Sequence, residues 1–246
     1  MLKLCALLCL LLAACGGGNE REKVNIFVAA SLLDAVGAIG WEYEQQTDIA
    51  VHHSPGASSI LARQIQDGAP AHVYFSASRK WVDYLKEKGK LEGEAHVFAR
   101  NDLVCVVPGR LPKYGGFEGL KDSRVRRIAI ADEGVPAGDY ARQALKNAGV
   151  YEDVKDKLIG QGDVRGVLHA VQIAEADAGF VYATDALAYK EGVDVDFKVD
   201  GALHDPIECY VARVKGAPAY VDRYIEFMRG PVAQAKLKEL GFKSAD

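Results

Sequence analysis

Val24-Asn-Ile-Phe-Val-Ala-Ala-Ser-Leu-Leu-Asp-Ala35 holds a strand, a turn and the start of a helix. The apolar run to Ala30 is too short for a helix and rich in strand-forming side chains, which predicts a buried strand. From Leu32 to about Gln46 the apolar positions recur at helical spacing, so the period changes at Ser31. The same unit comes again twice. Ile49-Ala-Val-His-His53 predicts a strand, followed by a helix from Ser59 to about Asp67 that Gly68 stops. Val73-Tyr-Phe-Ser76 predicts a third strand, with a helix from about Arg79 to Lys88 ending at Gly89. Three strand-to-helix units in succession predict an α/β lobe, a doubly wound mixed sheet flanked by helices.

A second stretch begins near Asn101. Asp102-Leu-Val-Cys-Val-Val107 and Arg127-Ile-Ala-Ile-Ala131 predict strands around an irregular Pro108–Gly119 region. Pro136 stands where a first helical residue would, ahead of a helix to about Asn147. A helix from Val164 to about Glu175 and a strand Gly179-Phe-Val-Tyr182 follow, the latter leading into Asp185-Ala-Leu-Ala-Tyr189. Strands at Asp196-Phe-Lys-Val199 and Pro206 to Val214, then two helices, complete the chain. Hydrophobic content of 49% and charged content of 26% are ordinary for a globular protein. A net charge of -4, with Lys and Arg scattered, argues against a nucleic-acid partner.

The chain opens with Lys3, an apolar run from Leu4 to Leu12, and the closing residues Leu12-Ala-Ala-Cys15. That run, roughly a dozen residues, falls short of the ~20 needed to span a bilayer. Its ending resembles the lipobox of a bacterial lipoprotein. Residues 1–14 then read as a signal peptide, Cys15 as the lipidated first residue, and residues 15–23 as a flexible tether. Export to the periplasm or the outer face of the cell membrane follows, with membrane attachment through the lipid alone. Of the five cysteines, Cys5, Cys9 and Cys15 belong to this segment. Cys105 and Cys209 could form one disulfide in an oxidising compartment or serve as buried apolar residues.

In open α/β sheets, ligands sit beyond the carboxyl ends of the strands, where helices begin. The residues at those junctions are mostly small and neutral: Ser31, Ser58 and Ser59, Ser76-Ala-Ser78 and Gly134-Val-Pro-Ala137, with Gly162-Asp-Val164 and Tyr182 completing the series. Hydroxyls and helix N-termini without Arg or Lys suit a compact anion. Each junction also has a purely structural reading. Ser31-Leu-Leu-Asp34 has the form of a capping box, Ser58 and Ser59 could be caps, and Tyr182 could be a half-buried core aromatic.

Phe27–Ala35, Gly56–Ala71, Val73–Ala77 and Lys80–Tyr84 resemble the molybdate-binding protein of bacterial molybdate ABC transporters. The likeness continues through Val135–Gly138 with Tyr140-Ala141, Asp163–Gly166, Gly179–Tyr182 with Asp185-Ala186, Gly230-Pro231 and Gly241-Phe242. It implies a type II periplasmic-binding-protein fold, two lobes closing on one tetrahedral oxyanion. The expected lobes are residues 24–100 with 206–246, and residues 101–205. The resemblance assigns the ligand to the Ser31 and Ser58 hydroxyls and backbone N–H groups, to the N–H groups of Ala77, Ala137 and Val164, and to the Tyr182 hydroxyl. Ser59 is an alternative to Ser58. Three features depart from the pattern: His72, where an aspartate is usual, Ile60, where a small polar residue is common, and the lead-in His53-Ser-Pro-Gly56.

The implied protein is a monomeric, non-enzymatic binding protein for molybdate and tungstate. It carries no cofactor, and molybdenum enters only as the oxyanion, with a membrane permease as transient partner. Sulfate or another oxyanion is the alternative ligand. A lipoprotein serine hydrolase is a more distant reading: no Gly-x-Ser-x-Gly elbow is present, and no histidine has a context tying it to a serine. His52 and His53 alternate along a strand and so face opposite ways, which weakens any two-histidine metal site.

Overall fold

The computed structural model describes residues 21–109 and 111–245; the predicted signal peptide and Cys15 lie outside them. Among the described residues, ten strands fall into two five-stranded sheets. The first unit runs β1 (Lys23–Ala29), α1 (Leu33–Gln46), β2 (Ala50–Gly56), α2 (Ser58–Gln66), β3 (Val73–Ser76), α3 (Arg79–Glu87) and β4 (Leu91–Arg100). The chain then builds a second unit from β5 (Leu103–Pro108), β6 (Ile128–Ala131), α4 (Pro136–Asn147), α5 (Tyr151–Val154) and β7 (Leu158–Gln161). This unit is completed by α6 (Val164–Gln172), β8 (Ala178–Tyr182), α7 (Ala183–Ala188) and β9 (Val193–Lys198). Finally β10 (Glu208–Val214), α8 (Val221–Arg229) and α9 (Pro231–Glu239) return to the first.

The sheet orders are β2-β1-β3-β10-β4 and β7-β6-β8-β5-β9. In each, three parallel strands sit beside an antiparallel pair, so both sheets are mixed. The two sheets thus share one topology, although no internal repeat shows in the residues themselves. β4 and β7 have no counterpart among the predicted strands.

Alternation along the strands sorts the first core. Val24, Ile26, Val28 and Phe75 pack toward α1, α8 and α9, whereas Phe27, Tyr74 and Tyr210 face Leu61, Ile65, Trp81 and Leu85 of α2 and α3. In the second sheet, two glycines let helices approach the strands. A Cβ on Gly179 would lie 2.8 Å from Val171 Cγ2 of α6, and one on Gly138 would collide with the Ala131 carbonyl oxygen. Gly138 therefore sets the first turn of α4 against the end of β6. Cys105 and Cys209 lie in different sheets, both buried and both free thiols, so the disulfide is not formed.

The capping expectations fail for the serines. Ala30–Leu32 is a turn of 3-10 helix, α1 begins at Leu33, and Ser31 makes no capping hydrogen bond. Ser58 is the first residue of α2 rather than its cap, and neither α2 nor α4 has a side-chain cap. Asp163 caps α6 instead, its carboxylate accepting from the Gly166 N–H.

Candidate functional site

The six residues singled out from the sequence converge. Ser31, Ser58, Ala77, Ala137, Val164 and Tyr182 all line one small cavity between the carboxyl ends of the two sheets. The first three come from the lobe of β1 and β3, the other three from the lobe of β6 and β8. Ser58 is in the lining and Ser59, although buried, is not. Among the described residues of this lining there is no lysine, arginine or histidine.

The donors are supplied by position. Ser58, Ala137 and Val164 occupy the first turns of α2, α4 and α6, where backbone N–H groups have no partner within the helix. Three helix N-termini aimed at one small volume favour a negative charge there. Because α2 and α4 lack side-chain caps, their first N–H groups are not taken up by a cap. Val135 and Pro136 lead α4 into the site, and the Pro at the first helical position has no N–H to leave unpaired.

Ser58 is the most constrained of the set. Its Oγ accepts from the Ala77 N–H at 3.1 Å, and its carbonyl accepts from the Tyr74 hydroxyl at 2.8 Å. Accepting at Oγ leaves the hydroxyl proton to be donated elsewhere. The Ala77 N–H, expected to point at the ligand, is thus held by Ser58 in this conformation. Tyr182 is 2% exposed, and its hydroxyl has no hydrogen-bond partner among the described residues. Burial first, and then Tyr140, push its pKa well above the ordinary tyrosine range, so it stays a neutral donor.

Asp163, named at its junction but not among the six ligand contacts, also lines the cavity. Its Oδ1 is turned into α6, accepting from the Gly166 N–H at 2.9 Å. An aspartate directly before a helical run is a cap signal that could have located it.

The lobes meet on both sides of the cavity. On one side Lys80 Nζ lies 2.9 Å from Asp139 Oδ2, and Trp81 Nε1 donates to the Gly134 carbonyl at 2.8 Å. On the other, Arg165 of α6 reaches Asp34 of α1 at 2.8 Å. Of the departures from the family pattern, the lead-in His53-Ser-Pro-Gly56 reaches the cavity through Gly56, whereas His72 and Ile60 are not in its lining. His72 precedes β3 at the strand end opposite the site, where its Nδ1 accepts from the Asn25 N–H at 3.2 Å and burial lowers its pKa. His52 is exposed and His53 half-buried on β2, and no group of three His, Cys, Asp or Glu among the described residues could hold a metal ion.

Residues 24–243 match the family of bacterial extracellular solute-binding proteins. The molybdate-binding protein ModA of Escherichia coli (strain K12) is 35% identical over 234 residues, covering 91% of this chain and 90% of that protein. The molybdate-binding protein ModA of Haemophilus influenzae is 36% identical over 234 residues, covering 90% of each. The solved periplasmic molybdate-binding protein of Azotobacter vinelandii shares the fold at a TM-score of 0.80 and 24% identity, covering 90% of this chain and 99% of that one.

Proposed function

The chain belongs to the family of bacterial extracellular solute-binding proteins, and on that premise we propose that it is the substrate-capture component of an ABC importer for molybdate. One observation carries this reading: six residues from six strand–helix junctions meet in a single small cavity that offers neutral donors and helix N-termini and no basic side chain. Such a site holds a dianion by dispersed hydrogen bonds, each worth about 1.5–3 kcal/mol to a charged acceptor. Several together offset dehydration of the anion and closure of the lobes, consistent with dissociation constants from nanomolar to low micromolar, roughly -12 to -8 kcal/mol.

The assigned contacts are the Ser31, Ser58 and Tyr182 hydroxyls and the N–H groups of Ala77, Ala137 and Val164. Tungstate, of the same shape and charge, binds with them. The Ala77 N–H joins the ligand by sharing its bond to Ser58 Oγ. The working lobes are residues 24–100 with 206–246 and residues 101–205, a division that the membership of the two sheets supports. Residues 1–14 direct export, Cys15 carries the lipid, and the monomeric lobes deliver the ion to the permease without chemical change. The absence of histidine from the described cavity lining supports this over a serine hydrolase.

Calorimetric titration of ligand-stripped protein with molybdate, tungstate, sulfate and phosphate tests the reading. Molybdate and tungstate are expected to bind alike. Sulfate, with shorter bonds to oxygen, leaves some donors beyond useful hydrogen-bond range and binds much more weakly. Phosphate near neutral pH carries a proton, and an unpaired buried O–H costs about 1–3 kcal/mol, so it should bind roughly 5- to 160-fold more weakly. Phosphate as tight as molybdate would mean that the second oxygen of Asp163 accepts from the ligand and that the donor-only assignment is wrong. Failure of molybdate to bind at all would sink the proposal.

A further inference from the structure

Three of the cavity residues begin segments that also carry, one to three residues on, the members of a single charge cluster. Ser31 is followed by Asp34, Val164 by Arg165, and Tyr182 by Asp185. The Arg165 guanidinium gathers them. One Nη donates to Asp34 Oδ2 across the lobes at 2.8 Å, and Nε lies 3.0 Å from Asp185 Oδ1 within its own lobe. The ring of Tyr189 stacks beneath the guanidinium at 4.3 Å, and the Tyr189 hydroxyl donates to both Asp34 oxygens at 3.1 and 3.3 Å.

The two carboxylates differ in kind. The Asp185 side chain is fully buried and its oxygens have no hydrogen-bond partner among the described residues, so its contact with Arg165 is the main compensation for its burial. That holds the arginine in place whether the lobes are open or shut. Asp34 is 42% exposed and belongs to the other lobe, which makes it the partner that arrives on closure. A planar guanidinium already oriented by a buried carboxylate and an aromatic face loses little freedom when the second carboxylate docks. The opposite contact, Lys80 with Asp139, uses a flexible ammonium 62% exposed, a type of pair that contributes little.

We propose that Arg165, braced by Asp185 and Tyr189, is the positioning residue that latches the closed lobes through Asp34 and so sets how long the bound anion stays. It rests on the binding reading above only for the identity of the anion. The latch is made only when the lobes are closed, with or without the anion, so it slows reopening and dissociation and leaves the encounter with the open lobes unchanged.

Trp81 donates across the lobe boundary and therefore reports closure by its fluorescence. In stopped-flow mixing with molybdate, the slope of the observed rate against concentration gives association and the intercept dissociation. Asp34→Asn is expected to raise the dissociation rate about three- to tenfold, as for loss of a partly exposed charge-assisted pair, with association unchanged within about twofold. Arg165→Lys, which keeps the charge without the fork, should do the same. An unchanged dissociation rate in both variants overturns the latch.

A second measurement is independent of the ligand. Nitroxide labels at Glu87→Cys and Lys146→Cys, exposed positions on α3 and α4, report the distance between lobes, since the native Cys105 and Cys209 are buried. In the unliganded protein, Asp34→Asn should lower the ratio of closed to open populations by the same three- to tenfold factor. Should wild type bind no molybdate, the functional reading fails while this ratio still decides the latch: an unchanged ratio overturns it.

Discussion

Replacing Tyr182 with phenylalanine separates binding from folding, because the two effects carry opposite signs. The hydroxyl is buried, without a hydrogen-bond partner among the described residues, and is kept protonated by its surroundings. As a donor to a dianion it is worth about 1.5–3 kcal/mol, so Tyr182→Phe should weaken molybdate binding by roughly 13- to 160-fold. In the unliganded protein the same group has no protein partner to lose, and removing it deletes almost no packing volume while relieving a burial cost of at most about 1 kcal/mol. The variant should therefore melt at the wild-type temperature or slightly above it when ligand-free, yet gain much less from added molybdate. Calorimetric titration and thermal melts with and without molybdate read both quantities on one preparation. Equal affinity would remove the hydroxyl from the site. A fall in ligand-free stability parallel to the loss of affinity would make its role structural and refute the reasoning.

Ser31→Ala should cost about 1.5–3 kcal/mol of binding with no change in ligand-free melting, since that hydroxyl caps no helix. Ser58→Ala should lower binding and also destabilise the unliganded fold by about 1–3 kcal/mol, because it strands the Ala77 N–H; chemical denaturation of both variants distinguishes them. Burial raises the Asp185 pKa to about 7, with Arg165 pulling the other way, so the folded protein holds a proton there below that pH and a carboxylate facing Arg165 above it. Its contribution to stability is complete below pH ~4 and is lost as pH rises to ~7, with a slope of up to about 1.36 kcal/mol per unit. Denaturation of Asp185→Asn at several pH values should show that slope removed; an identical pH dependence in both proteins would refute it. Cys15→Ser should release the exported protein from membranes on cell fractionation, and full membrane retention of the variant would exclude the lipid anchor.

The parallel strands were legible because they are buried on both faces and read as continuous apolar runs, as Ile128–Ala131 and Val73–Ser76 do. β4 was not: the first half of Leu91-Glu-Gly-Glu-Ala-His-Val-Phe-Ala-Arg100 is polar and largely exposed, and only its pairing with β10 makes it a strand. β7 is a four-residue edge strand containing a glycine, which leaves almost no pattern to read. The cavity-lining positions were legible for a different reason. They follow from where strands end and helices begin, so Ser31, Val164 and Tyr182 could be named without knowing how the lobes meet. What the serine hydroxyls do was not legible, because capping depends on backbone angles at Ala57 and Leu32. Nor was the partnership of Asp34 with Arg165, which joins residues 131 positions apart and exists only once the lobes face each other.

β10 has a consequence for how the chain matures. It lies inside the first sheet, between β3 and β4, yet it is made after every strand of the second sheet. The second sheet draws all its strands from one unbroken run of chain and can assemble as soon as that run is available. The first sheet cannot close until Glu208–Val214 arrives, and until then β3 and β4 each present an unpaired edge. Its long-range pairing makes it the slow half of the molecule. In an exported chain the N-terminal half can therefore complete its sheet only after its last strand, near the far end of the chain, has been delivered.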